Sequence, residues 1–200
     1  MLVNLLPNRI DYYTQNNNER DPRNACQRTA AAQCLYILGE IDKIKGPYAQ
    51  PEDNLDYICN TDPEIFDFCF RSHGREGIPP AKNCPVDNII EWADVLCFTI
   101  EKAVGYTAAR YSEYGFVSIV ADLEAGLPLM ASMKYPERNV PGHYVSVVGY
   151  GDGGREIIVA DPYRNSLSGG PDGFGNVYTA MEWAKYFKGY GIRFRRRRIV

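Results

Sequence analysis

A predicted β-hairpin is the feature that most limits how this chain can fold. Two runs rich in β-branched and aromatic residues, HYVSVVGY and EIIVA, flank the loop GDGG, whose glycines favour a tight reversal of the chain. If the loop is centred on Asp152, Val147 lies opposite Ile157 and the apolar pairs share one face of the sheet. A slip by one residue would turn those side chains to the other face. The pattern therefore predicts an antiparallel sheet with one apolar face along this hairpin.

The same register places a histidine beside an aspartate near the open end of the hairpin. His143 would lie opposite Asp161, and directly opposite Cβ atoms in an antiparallel pair are about 4.5 to 5.5 Å apart. A carboxylate at that distance can fix the tautomer and the orientation of an imidazole. The chain has two histidines, and we find no such partner for the other one, His73. His143 is therefore the predicted general base, with Asp161 as its orienting group.

A helix predicted to begin beside Cys26 carries the candidate nucleophile. The polar stretch from Thr14 to Asn24 is dense in turn-forming residues, and Asn24 is a suitable N-cap. Apolar or small residues then recur at helical spacing until Gly39, which is placed to end the helix. A thiol at a helix N-terminus ionises more readily than a free cysteine, because the helix dipole favours negative charge there.

The remaining pattern predicts a single domain over residues 1–200, with further helices and strands. Helical spacing extends from Val86 to Gly105, and a shorter helix ends at Gly126 before a strand that starts at Leu129. The segment from Asp42 to Asn88 is rich in proline, glycine and acidic residues, so it is predicted to be mostly irregular. We expect one short helix in it, at PEIFDFCFRS.

Charge and hydropathy exclude several classes of protein. A net charge of −3 does not favour binding to nucleic acid, although the run Arg193 to Arg198 is a local exception. We interpret that run as a solvated edge strand protected by charge. No stretch approaches the roughly 20 apolar residues needed to span a membrane, and the N-terminus does not resemble a secretory signal. The expected location is the cytoplasm at synthesis, with release to the cell wall by another factor as an option.

The other cysteines are expected to be reduced and mainly structural. Without a secretory signal, six cysteines do not indicate a disulfide framework. We interpret four of them as small buried hydrophobic residues: Cys34, Cys59, Cys69 and Cys97. A zinc site built from Cys59, Cys69, His73 and Cys84 is disfavoured, because only the pair Cys69 and His73 has the usual ligand spacing. No metal or other cofactor is therefore expected.

An acyl-transfer site also needs donors for a developing oxyanion. The backbone N–H of Cys26 is one candidate, since amides in the first turn of a helix have no acceptor within the helix. A side-chain amide upstream of the cysteine would supply the second donor. Gln15 is the leading candidate for it, with Gln27 and Asn18 as alternatives.

Two blocks of the chain together resemble one family of enzymes. The first is YYTQNNNERDPRNACQRTA, and the second includes GLPLMASM, GHYVSVVGYGD and IIVADPY. They are similar to papain-like cysteine peptidases related to bacteriocin leader-processing (double-glycine leader) peptidases, in the stand-alone branch of phages and bacteria. The resemblance extends from about Tyr12 to about Trp183.

The resemblance implies an α+β, papain-like fold, in which an N-terminal helix carrying the nucleophile packs on an antiparallel β-sheet carrying the base. Carried over by position, Cys26 would be the nucleophile, His143 the general base and acid, Asp161 the orienting group and Gln15 the oxyanion donor. For Gln15 to reach the site, the loop between it and Cys26 must fold back. The implied reaction is hydrolysis of an amide bond through a thioester acyl-enzyme.

The expected substrate is a peptide, and analogy with the compact lytic enzymes of phages favours a stem peptide or cross-link of peptidoglycan. Two alternatives remain open at this point. The same fold could serve as a non-catalytic peptide-binding module, or the same triad could catalyse acyl transfer or deamidation. No nucleic-acid partner and no membrane insertion are expected.

Overall fold

A computed structural model describes residues 2–20, 22, 25–72, 89–112, 115–134 and 141–195. Within these residues, helices and an antiparallel sheet form an α+β arrangement, as predicted. In chain order the elements are β1 (Val3–Asn4), α1 (Cys26–Ile37), α2 (Pro51–Thr61), α3 (Pro63–Ser72), α4 (Ile89–Val104), β2 (Thr107–Tyr111), α5 (Phe116–Glu124), β3 (Leu129–Lys134), β4 (Pro141–Gly151), β5 (Glu156–Ala160), β6 (Asn176–Thr179), α6 (Ala180–Tyr186) and β7 (Phe187–Arg195). Among the described helices, none has the length and hydrophobicity required to cross a membrane.

The strands form one antiparallel sheet in the order β2-β7-β3-β4-β5-β6, and β1 pairs with β4. The prediction of an edge strand for the arginine run is wrong for Arg193, because β7 lies between β2 and β3. Arg193 Nε lies 2.6 Å from Asp122 Oδ2 on α5. This ion pair offsets the guanidinium charge and allows the residue to lie on an interior strand. Residues 196–198 of the run lie outside the described residues.

Helices cover both faces of the sheet, and each face has its own apolar core. On one face, α1 and α4 pack against β3, β4 and β7, and the core between them includes Leu35, Leu96, Ile100, Met130, Tyr144 and Phe194. On the other face, α5 and α6 pack against the sheet, and the core between them includes Ile119, Leu123, Leu129, Val145, Val147 and Trp183. Because β3 and β4 are covered on both sides, α1 is fixed relative to the strand that carries His143.

Most elements predicted from periodicity are present. Helix α1 begins at Cys26, and α4, α5 and β3 match their predicted segments. The prediction for the middle segment is wrong in part: α3 is the expected short helix, but α2 precedes it. Helix α2 is not predicted because acidic residues are usually exposed, whereas those of α2 are buried and form part of its packed face. Asp53 accepts hydrogen bonds from the backbone N–H groups of Glu19 and Arg20, at 2.9 and 3.1 Å, so its charge is offset by a loop distant in sequence.

The hairpin is present, but its predicted register is wrong by two residues at Val147 and by three at Tyr150, beyond an irregularity in the pairing. Val147 pairs with Val159, where Ile157 was expected. The reversal occurs over a four-residue loop, 152–155, in which Asp152 has φ 43° and Gly153 has φ 62°. The loop is thus centred later in the chain than predicted. A shift of two residues keeps every side chain on its face, so the apolar pattern does not distinguish the two registers.

Candidate active site

Cys26 lies at the first position of α1. The field of the helix dipole is strongest there, and the backbone N–H groups have no acceptor within the helix. The N-cap residue is Ala25, which offers no side-chain cap, so the prediction of Asn24 as the cap is wrong; Asn24 itself lies outside the described residues. Cys26 is a residue of intermediate exposure, whereas Cys34 on the same helix is fully buried. A cysteine at the start of a helix and less buried than the structural cysteines differs from them in the features that control reactivity.

His143 and Asp161 are in contact despite the corrected register. His143 Nε2 lies 2.7 Å from Asp161 Oδ1, and both side chains are buried. Extending the observed pairing places Asp161 opposite Val145, so His143 reaches it diagonally along the same face of the sheet. The bond to Asp161 engages Nε2 and leaves Nδ1 as the ring nitrogen available to a nucleophile.

The Cys26 side chain interacts with the His143 imidazole, and its sulfur lies 4.0 Å from the carbonyl oxygen of Gly142. Burial would raise the pKa of Cys26, but the interaction with His143 and the charge of that residue outweigh it and lower that pKa below its ordinary value. Burial would likewise lower the pKa of His143, yet Asp161 and Cys26 raise it to about 10. Both shifts favour a thiolate–imidazolium pair at neutral pH.

Asp161 is held by donors from its own loop and from the N-terminal segment. Its Oδ1 accepts a hydrogen bond from the backbone N–H of Tyr163 at 3.1 Å, and its Oδ2 accepts one from the hydroxyl of Ser166. The Tyr12 hydroxyl donates to the backbone oxygen of Asp161. Sequence reasoning missed Tyr12 and Ser166. The Asp-Pro step indicates a turn, and backbone N–H groups of such a turn can donate to the aspartate side chain. No local sequence pattern indicates the contact between Asp161 and Tyr12.

The loop that carries Gln15 is attached to the turn after Asp161. The backbone N–H of Gln15 donates to the carbonyl oxygen of Pro162 at 2.7 Å, and the Thr14 hydroxyl donates to the same oxygen at 3.0 Å. The Gln15 side chain is buried, and its Nε2 donates to Pro22 O at 2.7 Å. One amide hydrogen of Gln15 is therefore used to fold the loop back toward α1, and the second is left for another acceptor.

The other two amide candidates are also buried. Gln27 lies in the first turn of α1 with its Nε2 unpaired, and Asn18 lies in the loop, where its Oδ1 accepts from the backbone N–H of Arg20 at 3.1 Å. Gln27 contacts the hydroxyl of Tyr144. Of the three amides, only Gln15 is joined through Pro162 to the loop that also carries Asp161.

Comparison with known proteins identifies the family. A family model described as Peptidase C39-like matches residues 7–186, which is most of the chain. The chain belongs to the Peptidase C39-like family. Membership indicates a cysteine peptidase, in agreement with the expectation from the sequence. No curated protein matches the chain significantly.

Solved structures share the fold of this C39-like chain. A protein described as a C39-like peptidase from Bacillus anthracis is 14% identical, covers 98% of both chains and has a TM-score of 0.58. The peptidase domain of Streptococcus ComA, a bifunctional ABC transporter involved in a quorum-sensing pathway, is 12% identical, with a TM-score of 0.52; the match covers 87% of this chain and 93% of that one. These neighbours confirm the predicted papain-like α+β fold.

The remaining described cysteines of this C39-like chain are buried, as expected for small hydrophobic residues of the core. Cys34, Cys59 and Cys97 are free and buried, and Cys59 Sγ lies 3.2 Å from Thr99 Oγ1 in the core. The side chain of Cys69 lies outside the described residues, as do His73 and Cys84. Over the part of the chain that the structure describes, no cluster of three or more metal-ligating side chains is present.

Gly173 packs directly on the backbone of Asp161, which leads to a prediction for Gly173→Ala. An added Cβ would lie 1.9 Å from Asp161 O and 2.6 Å from the Tyr12 hydroxyl. Backbone atoms cannot yield as a flexible side chain can, so we expect the free energy of unfolding to fall by about 1–3 kcal/mol. Urea denaturation followed by circular dichroism measures this change.

Gly170→Ala is the matched control in the same loop. There the added Cβ would meet the Ser168 hydroxyl at 3.2 Å, and that side chain can rotate away. We expect its unfolding free energy to stay within about 0.5 kcal/mol of the parent. Equal stabilities for the two variants would contradict the tight packing of Gly173 on Asp161.

Proposed function

We propose that this chain hydrolyses a peptide amide bond, with Cys26, His143 and Asp161 as a Cys-His-Asp catalytic triad. The observation that carries the proposal is the continuous contact from the thiol through the imidazole to a buried carboxylate. The opposite pKa shifts of Cys26 and His143 support it, because they favour the ion pair that attacks a carbonyl. Gln15 and the backbone N–H of Cys26 are the proposed oxyanion donors.

The proposed reaction has two stages. The thiolate of Cys26 attacks the carbonyl carbon, and the electron pair of the C=O bond moves onto the oxygen, where the two donors stabilise it. The carbonyl then re-forms, the C–N bond breaks, and the His143 imidazolium gives its proton to the leaving amine. Water next attacks the thioester and gives a proton to His143 as the C–S bond breaks. The product is a carboxylic acid, and the thiolate–imidazolium pair is restored.

Selective alkylation tests the proposed nucleophile without requiring a known substrate. Because the pKa of its thiol is lowered and the residue is less buried than the other described cysteines, Cys26 should react with iodoacetamide at pH 7 faster than they do. We expect the His143→Ala variant to slow this reaction about 10-fold or more, since the charge that stabilises the thiolate is lost. Mass spectrometry of peptic fragments locates the adduct and gives the rate at each cysteine. Equal labelling rates at Cys26 in parent and variant would contradict the thiolate–imidazolium pair.

Turnover distinguishes a peptidase from a binding module. The purified protein is incubated with a peptide library and, separately, with purified peptidoglycan, whose stem or cross-link peptides are the substrate class that we propose. New amine and carboxyl termini identified by mass spectrometry show hydrolysis and name the bond. Reactive Cys26 without cleavage of any peptide would favour the binding module, and cleavage of library peptides alone would exclude peptidoglycan as the substrate.

A further inference from the structure

A chain of buried hydroxyl groups lies behind Asp161, on the side away from His143. The hydroxyl of Ser166 donates to Asp161 Oδ2, and Ser166 is only 1% exposed. The hydroxyl of Tyr178 on β6 interacts in turn with the hydroxyl of Ser166, and Tyr178 is also 1% exposed. Because Ser166 gives its single proton to the carboxylate, its oxygen is the acceptor for Tyr178. The contacts thus continue from Tyr178 through Ser166 and Asp161 to His143.

The two oxygens of the Asp161 carboxylate have different partners, and this difference fixes its rotation. Oδ1 faces His143 Nε2 at 2.7 Å and accepts the Tyr163 amide at 3.1 Å, while Oδ2 faces the Ser166 hydroxyl. A carboxylate with a partner on one side only can rotate about its Cβ–Cγ bond. In a buried site, a carboxylate oxygen that lacks a donor also destabilises the folded state. Ser166 meets both requirements.

We infer that Ser166 is a positioning residue, which holds the Asp161 carboxylate so that Oδ1 stays directed at His143, and that Tyr178 fixes the direction of the Ser166 hydroxyl. The consequence for catalysis rests on the proposed function, whereas the positioning itself does not. Loss of the Ser166 hydroxyl would loosen the bond between Asp161 and the imidazolium, so His143 would release its proton at lower pH.

The titratable groups that face His143 and Asp161 come from three segments of the chain. Cys26 on α1 faces His143, while Tyr12 of the N-terminal segment and Tyr178 on β6 face Asp161. Burial, together with the charge of Asp161, raises the pKa of both tyrosines. They therefore remain protonated donors over the range in which His143 titrates, and a change in its titration reports on Asp161 and Cys26.

Titration of His143 by NMR tests the inference directly. The chain has two histidines, so a His73→Gln background leaves one imidazole in the spectrum. In that background, Ser166→Ala should lower the His143 midpoint by about one pH unit, and Ser166→Thr should restore it. Tyr178→Phe should lower it by a smaller amount. The control is Ser146→Ala, which removes a buried hydroxyl bonded at 3.0 Å to Ala30 O on α1, and it should leave the midpoint unchanged.

An unchanged midpoint in a folded Ser166→Ala variant would overturn the inference. If circular dichroism shows that this variant does not fold, Tyr178→Phe decides in its place, and an unchanged midpoint there would have the same meaning. Failure of the proposed function is recognised separately, because it appears as absence of peptide cleavage by the parent. The titration measures the positioning of Asp161 whether or not any peptide is cleaved.

Discussion

The Cys26→Ala variant should lose peptide hydrolysis by about 10⁴-fold or more while retaining the fold of the parent. In the proposed mechanism, Cys26 forms the covalent bond to the substrate, and an alanine has no lone pair with which to attack. Cys26 is a residue of intermediate exposure at the start of α1, and the substitution removes one sulfur atom, so we expect the fold to persist. Rates on a peptide that the parent cleaves give the fold-change, and circular dichroism checks the fold.

Cys34→Ala is the matched control, because it removes a thiol from the same helix two turns further along. Cys34 is fully buried, and burial raises the pKa of its thiol, so it does not supply a thiolate. We expect this variant to keep the parent's rate and to lose roughly 1 kcal/mol of stability. Full hydrolysis by Cys26→Ala, or an equal loss in both variants, would show that Cys26 is not the nucleophile.

Asp161→Asn is expected to give the second-largest effect, a fall in kcat of about 10² to 10⁴-fold. The substitution keeps the size of the side chain and removes its charge. Among the influences that raise the pKa of His143, the charge of Asp161 is the largest, so that pKa should fall from about 10. A neutral imidazole is then more common, and it cannot protonate the leaving amine.

The dependence of the rate on pH separates this effect from a loss of folding. The ion pair exists above the pKa of Cys26, which is lowered, and below the pKa of His143, which is raised to about 10. Asp161→Asn lowers the upper limit, so the high-pH limb of kcat/KM should move to lower pH and the plateau should narrow.

Asp122→Asn is the control for this experiment, since Asp122 is a buried aspartate paired with Arg193, whereas the groups that raise the pKa of His143 are Asp161 and Cys26. We expect it to lower stability and to leave the high-pH limb in place. A limb that moves equally in both variants, or in neither, would be inconsistent with Asp161 as the group that orients His143.

Local sequence patterns predict those parts of the fold that depend on residue type and spacing within one segment. Helical spacing and a terminal glycine located α1, which ends before Gly39 at φ 73°. The hairpin loop located β4 and β5. The register was missed because a two-residue shift preserves the faces, and the choice between registers depends on the four-residue loop and on an irregularity between Val147 and Gly149. Both are details of backbone conformation.

The errors elsewhere have a common physical cause, which is that charges are offset by partners far along the chain. Helix α2 was interpreted as irregular because of its acidic residues, yet Asp56 pairs with Arg28 at 3.0 Å. Strand β7 was interpreted as an edge because of its arginines, yet Arg193 pairs with Asp122. A sequence pattern shows each charge but does not show its partner.

In the candidate site, too, local patterns predict some residues and not others. Cys26, His143 and Asp161 were proposed from residue type, helix position and the hairpin, and the structure brings their side chains together. Tyr12 and Ser166, which hold Asp161, lie in irregular segments whose paths follow from packing and not from any repeat.

The place of β7 in the sheet sets the order in which the molecule can be completed. Strands β2 and β3 do not pair with each other, and each reaches the other only through β7, the last of the described strands to be synthesised. While the chain is still on the ribosome, β3 has an open edge on the side where β7 will lie. Open edges recruit other chains, so the interval before β7 emerges is the period of greatest exposure to aggregation. We therefore expect nascent chains that stall before Phe187 to depend on chaperones, although every residue of the proposed triad has already been made.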